Sequence, residues 1–231
     1  MNTGSWIPEE VHKVESSEEY DRLVIADPDF DSELLIGHFD GTPIVTDLPD
    51  VLLEPSRDYG VQPLADCALL YGLGCLEVSQ SAVDRLGETL RSTGELHSVR
   101  TSVGPYYLLN VTTVVDCLDY DKSVLEFWPA HPKFMVDGRR RLRRIRRFVF
   151  LPDRIGGALL FKIPEFPFSP PYATQEFVAR FTEAGLTGLE FRKVWPHPSD
   201  AEVRQMFLAK HQRKRQRKRP AGSYRPWNGD I

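Results

Sequence analysis

Long apolar runs are absent from this sequence of 231 residues. Its most apolar stretches, such as residues 51–53 and 68–71, fall far short of the roughly 18–20 residues that a membrane helix requires. The first residues also lack the basic start and the apolar stretch of a secretory signal peptide. These two absences exclude a membrane-spanning helix and predict a cytoplasmic protein.

Cysteine is also scarce. The chain has three, Cys67, Cys75 and Cys117, an odd number at wide spacing. Such a set suits neither a disulfide framework nor a zinc knuckle. Because unpaired cysteines of cytosolic proteins are mostly buried, we expect three buried free thiols.

The motifs of common catalytic sites are missing as well. The six histidines never form the i, i+4 pair of a helical zinc hydrolase motif, and no Gly-x-Ser-x-Gly nucleophile turn occurs. Gly72 and Gly74 resemble the start of a phosphate-binding loop, but Glu77 occupies the third glycine position and its carboxylate would repel a pyrophosphate. We therefore expect no enzyme activity, no cofactor and no metal.

One acidic group leaves an alternative open. Asp116, Asp119 and Asp121 are close enough in sequence to act as metal ligands or as an acid/base pair. They lack, however, the glycine and the terminal glutamate of a calcium loop. The favoured interpretation is that they are turn and cap residues.

Charge is distributed very unevenly along the chain. The net charge is −12 over residues 1–60, −5 over residues 61–138 and +13 over residues 139–231, which leaves −4 overall. The two ends either neutralise each other within one fold or attract partners of opposite charge.

The chain divides by composition into three parts. Residues 1–33 are an acidic N-terminal segment with little periodicity, which predicts an exposed arm. Residues 34–209 carry the packing signals of a folded domain, beginning with two short predicted strands at 34–39 and 43–45 around an Asp40-Gly41 turn. Residues 210–231 form a basic C-terminal tail.

Strand and helix signals continue through the middle part. Residues 76–78 predict a strand that enters a helix over 80–92, with Ser79 as the N-cap and Gly94 just past the end. On this helix Val83, Leu86 and Leu90 share one face. Two strands are predicted within 96–115, separated by Gly104-Pro105, and further strands at 124–128, 142–151, 159–163 and 189–194.

Two more helices complete the prediction. Thr174 can cap a helix that carries Phe177, Val178 and Phe181 and stops at Gly185, after a proline-rich loop. A capping box at Ser199 starts a last helix, which would bury Val203, Met206 and Phe207. Strands outnumber helices and do not alternate with them strictly, so we expect an α+β fold with a mainly antiparallel or mixed sheet and a few packed helices.

Two basic segments stand out in the last third of the chain. Residues 139–148 hold seven arginines around Leu142 and Ile145, and can line either a solvated strand or a positively charged groove. Residues 210–219 form a denser run without apolar partners, as expected of an exposed tail. Either segment could contact nucleic-acid phosphates, although no recognised reader module accompanies them.

Two further segments carry a family resemblance. The first contains Tyr106, Tyr107 and Asn110, followed by Asp116, Asp119 and Ser123, and the second runs over 184–191 and includes Gly188. With these segments, the chain resembles the bacterial polymorphic-toxin immunity proteins of class eleven, a former domain of unknown function typified by a myxobacterial member. The resemblance covers about residues 70–195.

The resemblance implies a cytoplasmic, antitoxin-like protein with an α+β fold that is encoded beside its toxin and blocks it by direct association. Because family members often lie near nuclease toxins, it also implies a nuclease target. The motif residues themselves fit a buried strand and its turns, and the charged flanks are additions to the family pattern.

The leading functional hypothesis is therefore an immunity protein that occludes its toxin without catalysis. Two surfaces are candidates for the contact, the acids Asp27, Asp29, Asp31 and Glu33 and the arginines Arg143, Arg144, Arg146 and Arg147. The acids could imitate phosphates before a basic nuclease cleft, or merely solvate an arm. The alternative hypothesis is a nucleic-acid-binding protein that uses the basic C-terminal third.

Overall fold

The structure is a computed structural model that describes residues 6–57, 62–70, 74–132, 135–136, 139–140 and 142–199, together with residues 201, 204, 205 and 208. All named helices and strands lie in one compact unit that ends at His197. In chain order they are β1 (Val11–Ser16), β2 (Leu23–Ile25), α1 (Glu33–Ile36), β3 (Leu52–Pro55), β4 (Cys67–Leu69), β5 (Leu76–Ser79), α2 (Gln80–Arg91), β6 (Gly94–Thr101), β7 (Tyr106–Val111), β8 (Val124–Phe127), β9 (Met135–Val136), β10 (Arg139–Arg140), β11 (Leu142–Arg147), α3 (Pro152–Ile155), β12 (Leu160–Phe161), β13 (Tyr172–Thr174), α4 (Gln175–Glu183) and β14 (Leu189–Trp195).

Two larger sheets make up the framework. One has the strand order β12-β13-β1-β14 and is antiparallel throughout. The other has the order β2-β3-β6-β7-β5-β4, in which only the β3–β6 pair is parallel. Two-stranded pairs are formed by β8 with β11 and by β9 with β10. This arrangement confirms the predicted α+β class with a mainly antiparallel or mixed sheet.

The N-terminal segment is not the exposed arm that its composition suggested. Its strand β1 lies between β13 and β14, and Val11 and Val14 are fully buried there. The charged neighbours of these valines face outward, where the Arg192 Nε donates to Glu15 Oε1 over 2.9 Å. A strand with one buried face needs few apolar residues, so an acidic composition concealed it.

The strand prediction for residues 34–39 is also wrong. The chain forms the short helix α1 instead. Leu35 in this helix and Phe39 just after it are fully buried, and they are four residues apart, which is the spacing of one helical face. Asp40 makes a local turn rather than a hairpin, since its Oδ1 accepts the Thr42 N–H at 2.9 Å. No strand follows at 43–45, where Val45 is 93% exposed.

Helix α2 and its flanks confirm their prediction. Ser79 is the N-cap, with its Oγ accepting the Ala82 N–H at 3.2 Å, and Leu86 and Leu90 are buried. Gly94 has a different role from the one expected, because it opens β6 rather than capping the helix. A Cβ at Gly94 would lie 1.8 Å from the carbonyl oxygen of Asn110, so only glycine permits this approach of β6 to β7.

Helix α4 also lies where it was predicted, and Gly185 follows it with φ of +62°. Thr174 occupies the N-cap position, but its hydroxyl donates to the Ala158 carbonyl oxygen at 3.2 Å and so ties the helix start to the segment just before β12 instead of capping it. Phe177 and Phe181 of α4 share a core cluster with Leu86 and Leu90 of α2. The two helices thus help to close one core with residues of both sheets.

Beyond the compact unit, the helix predicted from Ser199 is visible in part. Residues 201, 204, 205 and 208 are helical, and all four are exposed. Val203, Met206 and Phe207, which were expected to be buried, lie outside the described residues, as does the basic tail 210–231.

Candidate interaction surfaces

The tyrosines and the asparagine of the family motif belong to the scaffold. They lie on β7, an inner strand of the six-stranded sheet. The Tyr106 hydroxyl donates to the Ala65 carbonyl at 2.9 Å, and the Tyr107 hydroxyl donates to Gln80 Oε1 at 2.7 Å. Asn110 is fully buried, and its Nδ2 donates to the Thr42 carbonyl at 2.8 Å. These contacts join β7 to neighbouring segments of the fold.

The remaining motif residues shape turns and a close contact. Asp119 Oδ2 lies 3.1 Å from Lys122 Nζ, and Asp119 Oδ1 accepts the Lys122 N–H at 3.1 Å. The hydrogen bond with the Lys122 ammonium, together with that from the N–H, holds the pKa of the Asp119 carboxyl below the usual range. Asp116 is largely exposed and lies 3.5 Å from Arg154 Nη1. Gly188 has φ of +96°, and a Cβ there would lie 2.2 Å from the Cys67 carbonyl oxygen. All three positions have a local structural task.

The arginine-rich segment forms one strand of an exposed pair of strands. We call β8 together with β11 the basic ribbon. Along β11 the side chains follow the order buried, exposed, exposed, twice, so that Leu142 and Ile145 point inward and four arginines point outward: Arg143, Arg144, Arg146 and Arg147. A regular strand would alternate instead.

Two irregularities in the strand pairing explain this exposure. The register between β11 and β8 shifts once between Leu142 and Arg144 and again between Ile145 and Arg147. Each shift inserts one extra residue into β11, as a β-bulge does. Bulges redirect side chains, and here both members of each arginine pair reach the surface.

Aromatic and acidic side chains in and just after β8 contact two of these arginines and also Arg140 of β10. The guanidinium carbon of Arg143 lies 5.0 Å from the ring centre of Trp128, and that of Arg140 lies 5.7 Å from the ring centre of Phe127. Arg146 Nη2 lies 2.6 Å from Glu126 Oε1, and this hydrogen-bonded pair lowers the pKa of the glutamate. The ribbon therefore presents cations that are partly preorganised.

The ribbon is fastened to the body of the fold by apolar contacts. Leu142 and Ile145 share a core cluster with Phe150, Phe161 and Tyr172. In this cluster, the ring centres of Phe150 and Phe161 are 6.1 Å apart in an edge-to-face arrangement.

The acidic candidate surface is a turn between β2 and α1. Asp27, Asp29 and Asp31 are exposed, while the side chain of Glu33 lies outside the described residues. Asp27 Oδ1 accepts the Asp29 N–H at 2.9 Å, and the Asp31 carbonyl accepts the Leu34 N–H at 3.1 Å. The acids therefore stabilise the turn and present charge to solvent at once.

Sequence reasoning missed two buried charged side chains. Glu77, in β5, is 1% exposed, and its two carboxylate oxygens accept the Leu23 N–H at 3.0 and 2.9 Å. Burial raises the pKa of this carboxyl to about 8. An acid between Leu76 and Val78 in a strand of apolar residues was the available signal, but it served only to argue against a phosphate loop.

Lys162 is the second buried group, also 1% exposed. Its ammonium donates to the Phe39 carbonyl at 2.5 Å and to the Pro167 carbonyl at 2.8 Å. Burial lowers the pKa of this lysine to about 8. Lys162 thereby connects the loop after α1 with the proline-rich loop, which is a structural task.

The three cysteines are buried, as predicted, and burial raises the pKa of the Cys117 thiol to about 12. Among the residues that the structure describes, no group of three or more His, Cys, Asp and Glu side chains is placed to hold a metal ion. A cleft of about 500 Å³ runs beside β1 and is lined by charges of both signs, including Lys13, Glu15 and Arg22.

These features define an α+β protein whose candidate functional parts are exposed charged surfaces. Residues 95–195, somewhat less than half of the chain, match the model of an immunity protein family, Imm11. The match confirms the resemblance to the class-eleven immunity proteins and supports a toxin-immunity role. It extends from β6 to β14, so it includes the basic ribbon and leaves out the acidic turn.

A search of curated proteins found no match to the chain. Within the described residues, no helix is long and apolar enough to cross a membrane.

Proposed function

We propose that this protein neutralises a cognate bacterial toxin in the cytoplasm by binding it and occluding its active site, without catalysis. The observation that carries the proposal is the match of residues 95–195 to an immunity protein family. The toxin is proposed to be encoded beside the gene for this chain. The fold of this chain supplies a frame of two sheets, from which charged turns and strands reach the surface as in a binding protein.

We further propose that the toxin is a nuclease and that the acidic turn faces its basic cleft. The turn presents Asp27, Asp29 and Asp31 to solvent, and residues 1–60 carry a net charge of −12. A surface of this sign speeds association with a basic cleft and can take the place of nucleic-acid phosphates. Glu33 completes the proposed set.

Rescue of growth tests the proposal. Cells that express the toxin domain of the neighbouring gene should survive when they also express this chain, and the two purified proteins should form a complex. The function is overturned if neither rescue nor a complex is observed with the unaltered chain.

Charge reversal then tests the acidic turn separately. Substitution of Asp27, Asp29, Asp31 and Glu33 by lysine should weaken the complex strongly, mainly through slower association. The matched control reverses four exposed acids elsewhere, Asp47, Glu54, Asp84 and Asp153. Equal effects of the two quadruple variants, or no effect of either, would remove the phosphate-mimicry hypothesis while leaving toxin binding intact.

A further inference from the structure

The basic ribbon concentrates positive charge by an arrangement that a regular strand would not produce. Its two bulges expose both arginines of each pair, Arg143 with Arg144 and Arg146 with Arg147, along one strand of six residues. At about 3.3 Å per residue, the Cα atoms of these four arginines span no more than roughly 15 Å of strand. Such a row attracts a partner with closely and regularly spaced negative charge.

Nucleic-acid backbones carry negative charge that is both close and regular, with about one charge every 3.4 Å along a strand. Acidic protein surfaces are less dense in charge, and a stable protein interface also requires an apolar centre within about 800 Å² per partner. The ribbon exposes two large apolar side chains, Val124 at 44% and Phe127 at 37%, but they lie at the two ends of β8 rather than together at a centre. Its charge and its composition therefore favour nucleic acid over an acidic protein.

The aromatic residues at the end of β8 and just after it favour single-stranded over double-stranded nucleic acid. Trp128 and Phe127 lie under the guanidinium groups of Arg143 and Arg140, so flat cationic and aromatic groups are stacked at one end of the ribbon. Unpaired bases stack on aromatic rings and on guanidinium planes, whereas the bases of a duplex are covered by each other. A basic row beside such a platform is the combination found in single-strand binding surfaces.

We propose that the basic ribbon binds single-stranded nucleic acid, with the four arginines of β11 on the phosphates and the Trp128–Arg143 stack against a base. This activity is separate from the proposed toxin binding and uses a surface of opposite charge to the acidic turn. Four phosphate contacts predict a slope of about −2.8 for the logarithm of the binding constant against the logarithm of salt concentration. Affinity should accordingly fall about fifty-fold between 50 and 200 mM salt.

The test measures fluorescence anisotropy of labelled single-stranded oligonucleotides, one of deoxythymidine and one of uridine, about twenty nucleotides long, with the full chain. Substitution of Arg143, Arg144, Arg146 and Arg147 by glutamine should abolish most of the salt dependence that the ribbon contributes. The matched control removes four exposed arginines elsewhere, Arg85, Arg91, Arg100 and Arg180, and should retain the slope and most of the affinity. Circular dichroism establishes that both variants are folded.

The stacking contact has its own variants. Arg143→Lys keeps the charge and loses the planar group, and Trp128→Leu removes the ring, so each should weaken binding about tenfold without changing the salt slope. A loss of slope in either variant would contradict the assigned division between phosphates and base. A duplex of the same length should bind more weakly than the single strand.

The basic tail also carries cations that attract phosphates, so a separate variant is needed to distinguish its contribution from that of the ribbon. In a variant with the seven Lys and Arg residues of 210–219 replaced by glutamine, binding that depends on the four ribbon arginines should persist. The proposal is overturned if this tail variant no longer binds, or if the ribbon and control variants lose affinity equally. It is likewise overturned if poly-glutamate displaces the oligonucleotide at equal charge concentration, since the ribbon would then recognise acidic chains in general.

Discussion

Replacement of Glu77 by glutamine should change how stability depends on pH. Glu77 is buried in β5, with both carboxylate oxygens on the Leu23 N–H at 3.0 and 2.9 Å. Desolvation raises its pKa to about 8 in the folded chain, against an ordinary value of 4.5. Between these two values the folded state holds a proton that the unfolded state has released.

The sign and size of the effect follow from this difference. The free energy of unfolding falls as pH rises wherever the folded state binds more protons, so Glu77 stabilises the fold below pH 4.5 and loses this contribution as pH rises to about 8. A shift of this size corresponds to about 5 kcal/mol at about 1.4 kcal/mol per pH unit. About 4 kcal/mol of it is lost between about pH 5 and about pH 8.

Urea unfolding followed by circular dichroism at a series of pH values measures this effect. The stability of Glu77→Gln relative to the unaltered chain should rise by about 4 kcal/mol from about pH 5 to about pH 8, because the amide cannot ionise. Any pH-independent effect of the new amide on stability cancels, because only the change of the difference with pH is compared. The titration of Lys162 cancels as well, because it occurs in both proteins. The control Glu88→Gln, at an exposed position of α2, should show no such trend. A pH-independent difference for Glu77→Gln would refute the reasoning.

Three other predictions concern packing. Gly188→Ala should lower the free energy of unfolding by about 2–5 kcal/mol, because its Cβ would lie 2.2 Å from a carbonyl oxygen. The control Gly156→Ala, at a position with positive φ but nothing within 4 Å of the added Cβ, should lower it by about 1–2 kcal/mol. Equal losses in thermal unfolding would contradict the steric argument. Phe161→Ala, at a fully buried site, should cost about 3–5 kcal/mol in urea unfolding, and Phe168→Ala, at a 42% exposed site, about 1 kcal/mol. The three buried thiols should resist a water-soluble maleimide until the chain is unfolded, so rapid labelling of the native protein, followed by mass spectrometry, would show that their burial is wrong.

Local signals predicted the elements whose ends are marked by specific residues. Helix α2 begins at the Ser79 cap and α4 ends before Gly185, and the turn at Gly104 separates β6 from β7. Caps and turns act over a few residues, so the sequence around them is sufficient to locate them. The Tyr-Tyr-Leu-Leu-Asn-Val segment is predicted as a buried strand from its aromatic and apolar residues, a pattern that is also local.

Long-range pairing decided what the local pattern left open. Strand β1 is recognised only through β13 and β14, which lie more than 150 residues further along the chain. The helical rather than extended form of residues 33–36 depends on where Leu35 and Phe39 find a core. Neither partner is visible in a window of neighbouring residues.

The charged surfaces show the same division. From the sequence alone came the family resemblance, the unequal charge of the two ends and the presence of an arginine-rich segment around Leu142 and Ile145. Only the tertiary structure decided that β8 pairs with this segment through two bulges and that four arginines therefore face solvent. It also decided that Glu77 and Lys162 are buried, because the desolvation of a charge depends on everything that surrounds it in the fold.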